Sequence, residues 1–105
     1  MDANEIFAKL EQAGQDWADK NAAADLLEET KYTMLSECMA DHPEDSNAAA
    51  ETKARRDKRF KEHLHAMVAA RKAANKAKVL HQSIQVWIDL HRTSEATERA
   101  KMSLR

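Results

Sequence analysis

Ten cations crowd the middle of the chain, and their spacing is the clearest chemical signal in the sequence. Lys53, Arg55, Arg56, Lys58, Arg59 and Lys61 fall within nine residues, and Arg71, Lys72, Lys76 and Lys78 follow, starting ten residues later. Wound as a helix at ~100° per residue, Arg55, Lys58, Arg59, His65, Lys72 and Lys76 fall along one ridge. Such a ridge can track a phosphate backbone, neutralising successive charges and releasing condensed counterions. Aromatic side chains that could stack on bases are scarce. Phe60 and Trp87 belong to apolar stripes and Tyr32 sits among acids, so binding would be led by the backbone and indifferent to sequence. The competing reading is a solvated helix face that balances an acidic first half.

Other chemistry is poorly served. One glycine in the whole chain excludes the Gly-rich phosphate loops of P-loop and dinucleotide-binding proteins. His63 and His65 flank Leu64, point ~200° apart on a helix and so cannot share a metal ion. Glu62, His63 and His65 are therefore expected to be solvated. His81 and His91 lie ten residues apart with no ligand-type partner one helical turn away. Cys38 sits on an apolar stripe, where a buried structural thiol is expected rather than a nucleophile. As the only cysteine it excludes an internal disulfide and suits a reducing compartment. The sequence thus predicts no catalytic residue, no metal and no cofactor.

The elements that must position the cations are helices. The stretch from Ser46 to Arg92 has no Gly and no Pro and is dense in Ala, Lys, Arg, Glu and Leu, the strongest helix formers. Asp45, Ser46 and Asn47, just after Pro43, are all good N-cap residues. An unbroken helix over 47–92 would be roughly 70 Å long at ~1.5 Å per residue. Its apolar pattern changes side. Phe60, Leu64, Met67 and Val68 share one face, whereas Ala73, Ala77, Leu80, Ile84 and Trp87 lie nearly opposite with the four-three alternation of a coiled-coil seam. Two contacts on opposite sides of the rod, or a kink near residue 70, would account for the switch.

Upstream, residues 3–41 carry an amphipathic stripe of Ile6, Phe7, Leu10, Ala13 and Trp17, continued by Ala24, Leu27, Met34, Leu35 and Cys38. Either one helix or two would satisfy it. Residues 42–46 read as a loop, and 93–105 as a short last helix, capped by Ser94, or a tail. With one Gly and one Pro an all-β fold is excluded, and alanine supplies 20 of the 45 hydrophobic residues, which leaves a thin core. The expectation is a single all-α domain. An acidic helical hairpin or bent helix packs on Phe60, Leu64 and Met67 of a long helix, which self-associates through Ala73, Ala77, Leu80, Ile84 and Trp87.

Net charge is −1, but residues 1–52 hold 13 acidic and 3 basic side chains, a net of −10, while residues 53–105 hold 5 acidic and 14 basic, a net of +9. That asymmetry points to nucleic acid or to electrostatic packing of one half on the other. No apolar run of ~18 residues and no leader is evident, which implies a cytoplasmic protein without membrane contact.

Three runs carry a resemblance: Ala24–Thr30 (ADLLEET), Ala69–Val79 (AARKAANKAKV) and Ala96–Met102 (ATERAKM). They resemble a family of small helical tailed-phage proteins encoded near recombination and replication genes. The layout, a helical hairpin followed by a long basic helix, is also similar to UvsY-type recombination mediators. The resemblance implies a homo-oligomeric, non-enzymatic accessory factor that binds single-stranded DNA and a recombinase or single-strand-binding protein. Two other classes fit the residues: a phage inhibitor or adaptor whose acidic half mimics nucleic acid for a host protein, and a structural coiled coil.

Overall fold

The computed structural model describes residues 2–104; Met1 and Arg105 lie outside the described residues. Four helices follow one another: α1 (Ala3–Glu29), α2 (Lys31–Met39), α3 (Asn47–Arg55) and α4 (Lys58–Ser103). No strand occurs among the described residues. The molecule measures 86 × 21 × 15 Å, little more than α4 with one layer of helix laid along it. At ~1.5 Å per residue, the 46 residues of α4 span about 69 Å.

Each boundary has a local cause. Asp2 caps α1 by accepting from the Glu5 backbone N–H at 2.8 Å, which satisfies one of the free donors of the first turn. Thr30 divides α1 from α2. Its hydroxyl donates back to the Leu26 carbonyl at 2.7 Å, and such back-bonding bends helices. The expected choice between one helix and two over 3–41 therefore resolves as a bent pair. Ser46 caps α3 through the Ala49 N–H at 3.2 Å.

The long helix does not start there. It breaks at Arg56–Asp57 because Asp57 takes an extended conformation and acts as a fresh N-cap, accepting from the Arg59 N–H at 2.8 Å. The expected rod over 47–92 is thus corrected in two ways. Its first nine residues are α3, folded back against α2, and its far end runs on through Ser94 to Ser103. No break occurs near residue 70.

Two contacts hold the molecule, and neither uses large side chains liberally. Near the α2–α3–α4 corner, Phe60 and Cys38 are fully buried with Leu35 and Ala54, and Met34, Met39 and Leu64 pack around them. Beyond the corner, α1 runs antiparallel along α4 as far as about Glu95. His63 Nε2 meets the Leu27 carbonyl at 2.7 Å near one end, the Trp17 and His81 rings lie 5.4 Å apart in the middle, and Ile6 and Ile88 line one shallow pocket near the other. Ala13, Ala24, Ala74 and Ala77 are buried, and side chains that small let two helix backbones approach closely.

This placement corrects two expectations. Trp17 packs on His81 and beneath Lys78, not on Phe60, because α1 lies along α4 from His63 onward and leaves only the start of α4, around Phe60, to α2. His63 is not a solvated side chain, since it is partly buried against Leu27. Replacing a buried Phe by Ala typically costs about 3–5 kcal/mol. Phe60→Ala should accordingly lower the thermal midpoint sharply and melt α2 and α3 first, measurable by circular dichroism together with hydrogen exchange. An unchanged midpoint would show that the corner does not stabilise the fold.

Candidate nucleic-acid interface

The ten cations separate into a paired set and an open set. Lys53 bonds to Asp45 at 2.7 Å, Arg55 to Glu51 at 2.8 Å while its guanidinium lies over the Phe60 ring, and Lys78 lies over the Trp17 ring. Arg59 holds Asp57 at 2.9 Å and also Asp41, tying the start of α4 to the end of α2. Arg71 is the most constrained. Its Nε and Nη2 donate to both oxygens of Glu28 at 3.0 and 2.8 Å, Nη2 also to Asp25 at 2.6 Å, and Nη1 to the Asn21 side-chain oxygen at 2.7 Å. A bidentate guanidinium–carboxylate pair with further bonds fixes geometry far better than a single surface contact.

Arg56, Lys61, Lys72 and Lys76 are exposed and make no ion pair among the described residues, and Lys58 makes only a 3.7 Å contact with Glu62. At ~100° per residue, Lys58, Lys61, His65, Lys72 and Lys76 fall within ~60° of one another, on the side of α4 away from Ala77 and Ile88. This row differs from the ridge read in the sequence. Asp57 moves Arg55 onto another helix and draws Arg59 to its carboxylate, while Lys61 joins the row.

Beside the row lies an open groove of about 660 Å³. Met67, Val68 and Val79 supply its apolar surface, Lys72 and Lys76 one rim, and the Arg71–Glu28 pair the other. Val68, placed in the sequence reading on the face with Phe60 and Leu64, is 70% exposed here. At ~100° per residue it sits round the helix from Met67, on the side of Lys72 and Val79. The periodicity of the stripe gave no sign of this groove. Its signal was a valine at each end of a lysine cluster.

The seam of Ala73, Ala77, Leu80, Ile84 and Trp87 has a partner within the chain. Ala77 is buried, Ala73 and Ile84 are half-buried, and Leu80 and Ile84 form a shallow groove with Lys9 and Ala13 of α1. Leu80 and Trp87 remain about half exposed, and Trp87 stacks on His91 with ring centroids 5.1 Å apart. Val86 and Leu90 are more exposed still. Burial pushes the Cys38 thiol up from its ordinary value, the behaviour of a structural cysteine. No group of three or more potential metal-ligating side chains occurs among the described residues, and no described helix is long and apolar enough to cross a membrane. Comparison with known proteins gave no matching family model, no matching curated protein and no matching solved structure.

The ion pairs make stability depend on pH. The bond from Arg71 holds the Glu28 carboxyl below its ordinary range, the bond from Lys53 does the same for Asp45, and the Arg59 side chain and backbone bring Asp57 down to about 2. Carboxyls depressed in the folded state stabilise it fully above their unfolded values, and the contribution fades as pH falls through the folded ones. The thermal midpoint should be flat from neutrality to about pH 5 and fall between about 4 and about 2, a window set by these shifts. Arg59→Gln should flatten that acid limb. A midpoint insensitive to pH over this window would show that the pairs do not form in solution.

Proposed function

We propose that this chain is a non-enzymatic accessory protein of DNA recombination, phage-encoded and cytoplasmic in the host. It binds the backbone of single-stranded DNA, acts with a recombinase or single-strand-binding protein, and works as a homo-oligomer. The observation that carries the DNA reading is the exposed row Lys58, Lys61, Lys72 and Lys76, whose charges are not neutralised among the described residues apart from the loose Lys58–Glu62 contact. The recombination setting rests on the resemblance of the three runs quoted above. The acidic-mimic reading has less support. Asp25, Glu28, Asp41, Asp45 and Glu51 are engaged by Arg71, Arg59, Lys53 and Arg55, which leaves fewer acids to imitate a phosphate chain.

Four phosphates neutralised on a single strand correspond to a slope of about −2.8 in log affinity against log salt. A fluorescence titration across salt should give that slope. The quadruple change of Lys58, Lys61, Lys72 and Lys76 to Glu should abolish binding and retain helicity, because Glu is also a strong helix former. Absence of binding by the wild-type chain at about 50 mM salt, where electrostatic affinity is high, would sink the proposal.

The oligomer reading is supported by exposed apolar side chains on the second half of α4, Leu80, Val86, Trp87 and Leu90. Monomers rarely leave a contiguous patch of that kind uncovered. Light scattering at micromolar concentration should report at least twice the 11.9 kDa chain mass, and Val86→Glu with Leu90→Glu should return it to the monomer value. A wild-type mass of 11.9 kDa would remove self-association from the account.

A further inference from the structure

The groove beside the lysine row has a composition that phosphate binding alone does not call for. Val68 and Val79 are 70% and 60% exposed, and with Met67 they form an apolar surface within a basic stretch of α4. Lys72 and Lys76 stand along its rim without ion pairs among the described residues. The only carboxylate on the lining, Glu28, is held by two bonds from Arg71, so it does not repel an anion as a free acid would. Arg71 itself forms the opposite wall. Its hydrogen bonds to Glu28, Asp25 and Asn21 immobilise the guanidinium, while 31% of the side chain stays exposed, and a held guanidinium plane is a stacking surface.

We propose that this groove seats unstacked nucleobases of a single strand, packed on Met67, Val68 and Val79 and against the Arg71 plane, while Lys72 and Lys76 hold the adjoining phosphates. The inference rests on the DNA-binding reading above and adds to it a source of preference for single strands. In a duplex the base faces are stacked away and only phosphates meet the lysines. In a single strand the faces are free to stack on apolar and guanidinium surfaces. Asn75, on the same lining, offers both a donor and an acceptor to a base edge. The volume of about 660 Å³ lies within the ~300–1,000 Å³ typical of small-ligand sites.

The test uses the full chain with two labelled strands of equal length and charge. One is oligothymidine and the other an abasic strand with the same backbone, both longer than the ~4–16 nucleotides a single-strand site covers. Oligothymidine should bind about tenfold more tightly or better, the effect of burying one or more bases. Val68→Ser with Val79→Ser should bring the two affinities together without changing the salt slope, since both valines are exposed and uncharged. Circular dichroism checks that this variant keeps its helices. If the wild-type chain binds the abasic strand as tightly as oligothymidine, the base seat is overturned and backbone binding stands. If it binds neither at low salt, both fall. A serine variant that folds and keeps the preference would overturn the assignment to this groove.

Discussion

Arg71 joins the two halves of this molecule. It reaches from the middle of α4 to Asn21, Asp25 and Glu28 on α1, where the alanine packing around Ala24 and Ala74 holds the helices close but provides little shape to fix their register. Small side chains permit several ways of sliding one helix past another. A guanidinium bound at four points permits one. With α1 registered, Trp17 meets His81, and the face of α4 carrying Lys58, Lys61, Lys72 and Lys76 is turned to solvent.

The opposite net charges of the two halves act locally, and they do not simply cancel. Asp41, Asp45 and Asp57 collect Arg59 and Lys53 around the α2–α3–α4 corner, and Asp25 and Glu28 collect Arg71. These pairs are exposed, so each contributes modestly and is weakened by salt. Their larger effect is to divide the cations into those that position helices and those left free to meet a partner. A chain of net charge −1 thereby presents a cationic face.

Helix content, the loop before Ser46 and the apolar character of Leu35, Cys38 and Phe60 were all legible, because each depends on local propensity or simple periodicity; the bend at Thr30 was not, since the stripe over 3–41 fits one helix or two. The break at Asp57 was not legible either. An acid inside a run of Lys and Arg looks like part of a charge cluster, and only its position three residues before buried Phe60 marks it as an N-cap. The partner of the second-half seam was also hidden. Ala13, Ala24, Ala74 and Ala77 give weak hydropathy signals, yet they form the contact that lets α1 cover Ala77. Of the proposed interface, the abundance of cations could be read directly. Which of them stay free depends on acids as much as 46 residues away, as Asp25 is from Arg71, and a single sequence does not specify such pairings.

The central claim is that a DNA strand lies along the outer face of α4 while α1 stays on the inner one. Lysine acetylation footprinting by mass spectrometry, with and without bound oligothymidine, tests it most directly because it reports each ammonium group separately. The account predicts protection at Lys58, Lys61, Lys72 and Lys76, with Lys9, Lys20, Lys31 and Lys101 modified equally in both states. Protection centred on Lys9, Lys20 and Lys31, or spread evenly over all lysines, would contradict it.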